Sequence, residues 1–186
     1  YNMAPSPEDW LQPTFGQKHH EFFDILFDTL CPDLKTKERL LACIAWKYRH
    51  PEQINIPSPI FCGVGGSGKT GTGIIFKTIV GRGDVLWAAT LSDDMMKNNG
   101  SFIGKFMVNF DDLPIIKETD KEYTFIKRMV HNKTFTFRNL YDKAFEGDWT
   151  AWPWFNGNPG NDEKCPIPLE GDGAAGVDRR WMPSIV

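Results

Sequence analysis

Gly63-Val64-Gly65-Gly66-Ser67-Gly68-Lys69-Thr70 matches the pattern G-x-x-x-x-G-K-[ST]. A loop that wraps a phosphate points successive backbone N–H groups inward, so its side chains must be absent or small. Gly63, Gly65, Gly66, Ser67 and Gly68 meet that demand. Lys69 can reach the outer phosphates of a nucleotide, and the Thr70 hydroxyl can join the shell of a Mg²⁺ ion. A helix that starts there adds the positive end of its dipole. These residue types in this order point to nucleotide phosphate binding.

Three more groups carry charge or amides. Phe106-Met107-Val108-Asn109-Phe110-Asp111-Asp112 is an apolar run that ends in two carboxylates. A strand of a parallel sheet delivers its last residues to the edge where a phosphate loop also ends. Asp111 is assigned to the metal and Asp112 to the attacking water. Asn156 and Asn158 follow the run WTAWPWF. An amide beside a γ-phosphate can hold the attacking water, a role open to either asparagine. Asp178-Arg179-Arg180-Trp181 offers guanidinium groups, which stay charged and neutralise charge developing at a γ-phosphate. Read singly, these residues also fit a solvated Asp-Asp turn, turn asparagines and a surface ion pair.

The elements that must position these groups show in the hydrophobic spacing. Residues 20–31 place Phe22, Phe23, Leu26, Phe27 and Leu30 at helical intervals, and Pro32 ends the run. Residues 35–50 predict a second helix with Leu40, Leu41, Ile44 and Tyr48 on its inward stripe. Ile60-Phe61-Cys62 reads as a short strand before the glycine loop, and residues 68–80 as the helix after it. Residues 84–90, 105–114 and 150–160 read as strands, the last compromised by Pro153. Residues 121–132 read as a helix with Phe125, Ile126, Met129 and Val130 inward, and 134–140 as a strand or hairpin arm. Strands alternating with helices predict an α/β sandwich around a largely parallel sheet. The expected division is a lead-in with helical segment over 1–55 and a core over 56–186.

Composition narrows the function classes. Hydrophobic residues make up 41% and charged residues 24%, as in soluble globular chains. A net charge of −3 confines any nucleic-acid contact to a local patch. Cys31, Cys43, Cys62 and Cys165 form no C-x-x-C pair and fit a reducing, intracellular setting. No apolar run approaches the roughly 20 residues of a membrane helix. The chain runs from Tyr1 to Val186 and reads as a piece of a longer protein.

In sequence order, GVGGSGKT, FMVNFDDLP, FNGNP and DRRWMP resemble the motif series of the superfamily 3 helicases, AAA+ ATPases of viruses, phages and mobile elements. The similarity extends to the C-terminal helicases of phage and poxvirus-type primase-helicases, and to the virulence-associated E family, over most of residues 20 to 183. The resemblance implies a P-loop, AAA+ like three-layer sandwich preceded by a helical segment. It implies ATP and Mg²⁺ as ligands, and a homo-hexameric ring in which an arginine, Arg179 or Arg180, acts on a neighbour's ATP. It also implies movement on single-stranded DNA during genome replication, with a primase attached or as partner. In that superfamily the region between the acidic strand and the asparagine forms a hairpin that enters the ring pore. Lys127, Arg128, Lys133, Arg138 and Lys143 lie there, with Phe135 and Phe137 as candidates for base stacking. Asn109 stands where the pattern has an apolar residue, and Trp154-Phe155 where it has small hydroxyl residues. The same motifs also fit an RNA helicase of RNA-virus type. The loop alone fits a small-molecule kinase or nucleotide switch.

Overall fold

A computed structural model describes residues 23–81, 83–88, 91–158, 167 and 181–185. In chain order its elements are helix α1 (23–30), α2 (Leu34–Arg49), β1 (Ser58–Cys62), α3 (Lys69–Val80), β2 (Val85–Ala88) and α4 (Asp93–Lys97). A 3-10 turn (Gly100–Phe102) leads to β3 (Met107–Leu113), α5 (Lys121–His131), β4 (Thr134–Phe137), β5 (Phe145–Asp148), β6 (Trp152–Gly157) and β7 (Trp181–Ile185). Five strands form one sheet in the order β2-β3-β6-β1-β7, every neighbouring pair parallel. β4 and β5 form a separate antiparallel hairpin.

Strand alternation splits the core in two. On one sheet face Met107, Phe61, Trp152 and Trp154 pack with Leu26, Leu30 and Leu40 of the first two helices and Phe76 of α3. On the other, Val108, Phe110, Ile60 and Phe155 pack with Ile126 and Met129 of α5 and Phe135 and Phe137 of the hairpin. The result is a three-layer α/β unit, and α1 and α2 share a core with the sheet. Among the described residues no helix is long and apolar enough to cross a membrane.

Two prolines shape the sheet. Pro59 and Pro153 have no N–H for a ladder. The β1–β6 register accordingly begins only at Ile60↔Phe155. The Pro57 carbonyl instead accepts from the Trp152 indole Nε1 at 3.1 Å. Pro153 therefore sits within an inner strand without breaking it. Pro183 lies in β7, the edge strand, where a missing donor is tolerated.

Two helical expectations change. In α2 the buried positions are Leu40 and Lys47, whereas Leu41 and Tyr48 are exposed. The inward stripe is rotated because the Lys47 ammonium finds three carbonyl acceptors inside, a partner set that hydrophobic spacing does not register. In α5 Tyr123 is buried, and Phe125 is partly buried against the same core.

Candidate functional site

The glycine loop leaves β1 in the interior of the sheet and enters α3 directly. Gly66 and Gly68 adopt φ of 85° and 91°, a region that L side chains disfavour. A Cβ on Gly68 would also lie 3.0 Å from Leu26 Cδ1. No side chain caps the first turn of α3, where Gly71 N–H turns to the Gly68 carbonyl at 2.8 Å. The helix is anchored from below by the edge of the Phe76 ring on Trp154, centroids 5.0 Å apart.

Lys69 is nearly buried. Its ammonium donates to the carbonyls of Gly63 and Val64, each at 2.8 Å, and to Ser67 Oγ at 3.1 Å. Burial pushes its pKa down, against the pull of the Asp111 and Asp112 carboxylates.

A β-bulge presents the two acids. Phe110 pairs with Phe155 and Leu113 with Gly157, so Asp111 and Asp112 together oppose Asn156. The extra residue lets Phe110 and Leu113 both stay in the core while the carboxylates point out of it. Asp112 accommodates the bulge with φ of 50°, a conformation Asp tolerates better than most residues.

Asp111 has a partner on each oxygen. Thr70 Oγ1 lies 3.4 Å from Oδ2, and Asn156 Nδ2 donates to Oδ1 at 3.2 Å. Asn156 is fully buried, and its Nδ2 also donates to Asn109 Oδ1 at 3.4 Å. Asn158 Nδ2 donates to Asp112 Oδ1 at 2.7 Å at the surface. The two sequence-predicted asparagines thus divide, Asn156 to the first acid and Asn158 to the second. Lys69, Thr70, Asp111, Asp112, Asn156 and Asn158 come from three distant stretches of chain and meet at one edge of the sheet. Asn109 was not among the predicted site residues. Its signal in the sequence is an amide in an otherwise apolar strand.

Arg179 and Arg180 lie outside the described residues. β7 begins at the next residue, Trp181, which pairs with Ser58 at the start of β1. The glycine loop follows Cys62 at the opposite end of that strand.

The hairpin and α5 before it carry the remaining basic candidates. Lys133, Arg138 and Lys143 are exposed around β4 and the turn to β5. Lys127 and Arg128 lie on α5, Lys127 over the Tyr123 ring. Phe135 and Phe137 do not support base stacking at the surface, as the alternating pattern had allowed. They are 6% and 1% exposed and face inward, with Phe135 against Phe125 and Trp149. Tyr141 is the aromatic ring on offer instead, 94% exposed in the turn. The base of that turn is clamped by Asn99, whose Nδ2 donates to Thr136 O at 3.0 Å and whose Oδ1 accepts from Arg138 N at 2.9 Å. One side-chain amide thereby pairs with a strand as a neighbouring backbone would. Gly100 N donates to Arg138 O at 2.9 Å, and a Cβ there would lie 1.8 Å from Asn139 Oδ1.

No protein-family model matches the chain, and no curated protein matches it. Among solved structures it is similar to the C-terminal region of NrS-1 in apo form. One such structure aligns with a TM-score of 0.70 at 20% identity. Two more, of residues 305–718, align with TM-scores of 0.71 and 0.68, each at 18% identity. Each alignment covers 89% of this chain. The chain spans 37% to 38% of those chains, little more than a third of their length. At such identities the likeness is one of fold.

Proposed function

We propose that this chain is the ATP-hydrolysing core of a helicase or translocase of superfamily 3 type, working on single-stranded DNA in the replication of a viral, phage or mobile-element genome. The observation that carries the reading is the meeting of Lys69, Thr70, Asp111 and Asn156 at the edge of a parallel sheet, beside an uncapped helix start. The similarity in fold to the NrS-1 C-terminal region is in keeping with it.

In this reading the N–H groups of Gly65 to Gly68 and the Lys69 ammonium bind the β- and γ-phosphates of ATP. The residues present fit Mg²⁺, because Thr70 Oγ1 and an Asp111 carboxylate oxygen are hard oxygen donors within 3.4 Å of each other. Bound there, the ion would supply charge neutralisation on the phosphates. Lys69 trades its carbonyl partners for phosphate oxygens. Asn156 holds Asp111 in orientation, and Asp112, steadied by Asn158, orients the attacking water. Arg179 or Arg180 acts on the ATP of an adjacent subunit in a hexameric ring. Lys133, Arg138 and Lys143 grip phosphates of the strand in the pore, with Tyr141 offering a stacking face. An attached or partner primase completes the replication role.

The test is ATP turnover and strand displacement with single-stranded DNA, with RNA and with neither. Stimulation by DNA above RNA fits the proposal. Stimulation by RNA alone moves the assignment to an RNA helicase. Monomeric turnover that ignores both polymers and transfers phosphate to a metabolite sinks the motor reading in favour of a kinase.

A further inference from the structure

Asn109 is fully buried in β3, with β2 on one side and β6 on the other. An inner strand of a parallel sheet, covered on both faces, favours apolar side chains. Its amide is only half used: Oδ1 accepts from Asn156 Nδ2 at 3.4 Å, and Nδ2 has no partner among the described residues. Asn156 Oδ1, also buried, has no partner among them either. An amide held this way is less stable than a leucine in the same place. A residue at odds with its surroundings marks a site where function outweighs packing.

The contacts form a line. Asn156 Nδ2 carries two hydrogens. One goes to Asp111 Oδ1 at 3.2 Å and the other to Asn109 Oδ1. With both engaged, the Asn156 amide cannot turn over without placing its oxygen against the Asp111 carboxylate. Asp111, pinned through Oδ1, keeps Oδ2 toward the Thr70 hydroxyl. Resting on the ATPase reading above, we infer that Asn109 is a positioning residue that acts on Asp111 through Asn156. Its task is to hold the carboxylate oxygen that meets Thr70 in place.

The first arm of the test needs no turnover. Hydrogen exchange of the Asn156 side-chain amide is followed by NMR in the wild type and in Asn109→Leu. The wild type should show a protected Asn156 amide, and the variant a loss of that protection. The second arm measures turnover against Mg²⁺ concentration. Asn109→Leu should raise the half-saturating Mg²⁺ or lower kcat by about tenfold, with nucleotide affinity in the absence of Mg²⁺ unchanged. In an Asn156→Ala background the same substitution should change turnover by less than about twofold, because its route to Asp111 is already cut. Unprotected exchange in the wild type overturns the inference whether or not the variant folds. So does an Asn109→Leu effect that multiplies with that of Asn156→Ala. A wild type that hydrolyses normally beside an Asn109→Leu protein of equal Mg²⁺ dependence and equal kcat overturns it alone. A wild type that binds no ATP sinks the ATPase reading, and the exchange arm still judges the contact line.

Discussion

Replacing Lys47 by methionine keeps the side chain's apolar stem out to Cε and removes the ammonium. Lys47 is wholly buried, and Nζ donates to the carbonyls of Pro51 at 2.5 Å, Gln53 at 2.8 Å and Thr150 at 2.6 Å. The ammonium lies 5.6 Å from the centre of the Phe106 ring. It ties the end of α2 to the approach to β1 and the approach to β6. In the variant three carbonyls lose a donor, at about 1 kcal/mol each. Relief of the buried charge offsets part of that. The net loss is about 2 kcal/mol at neutral pH, or roughly 4–8 °C in Tm for a chain of this size. The pH dependence is a sharper test. Burial pushes the Lys47 ammonium down to about 8 from its ordinary 10.5, with Glu52 opposing. Between those values the folded protein binds fewer protons than the unfolded chain, so this group's contribution to stability rises with pH. Methionine has no such gain. The stability gap between wild type and Lys47→Met should therefore widen from about pH 8 to pH 10, by up to about 3 kcal/mol. Burial raises the Cys31 and Cys43 thiols, which act the opposite way at high pH, but both proteins carry them and the difference cancels. Urea unfolding at several pH values measures the gap. A methionine protein more stable at neutral pH would refute the carbonyl-clamp argument, and a gap that stays flat or narrows would show that the carbonyls outweigh burial at this ammonium.

Asn99→Ala should remove both contacts that Asn99 makes with the base of the turn after β4, lowering stability by about 2 kcal/mol. Single-stranded DNA affinity should drop with it while DNA-free ATP turnover is retained; equal loss of both would show the clamp is general scaffolding. Gly68→Ala places a Cβ at a positive φ and 3.0 Å from Leu26 Cδ1, so ATP affinity should fall steeply and stability by about 1–2 kcal/mol. A normal nucleotide titration would contradict it. Arg138→Ala with Lys143→Ala should flatten the salt dependence of DNA binding by about 0.7 per charge removed. An unchanged slope would place the DNA elsewhere.

Local demands were legible in the sequence; partners distant in the chain were not. The glycine loop could be read because its pattern consists of particular residues at fixed offsets. The apolar run before Asp111 and Asp112 showed as a strand, as did the alternation of Phe135 and Phe137. Which way that alternation faces depends on α5 and Trp149, and the sequence left both directions open. β7 was missed because Trp-Met-Pro-Ser-Ile is short and contains a proline. Its strand character comes from pairing with β1, and Ser184 Oγ then reaches the Leu30 carbonyl. The bulge at Asp111 and Asp112 has no sequence signature, because it is a mismatch between two strands. Lys47 reads as a polar face of α2 until its three carbonyl acceptors are seen together.

The most direct test of the proposed ATPase site is ATP hydrolysis by the wild type, by Lys69→Ala, by a variant with both Arg179→Ala and Arg180→Ala, and by a mixture of the two variants, each with Mg²⁺ and single-stranded DNA. The account predicts DNA-stimulated turnover in the wild type, none in either variant alone, and partial recovery in the mixture, as an arginine acting across subunits requires. Wild-type-like turnover by Lys69→Ala would contradict the assignment of the glycine loop as the site of catalysis.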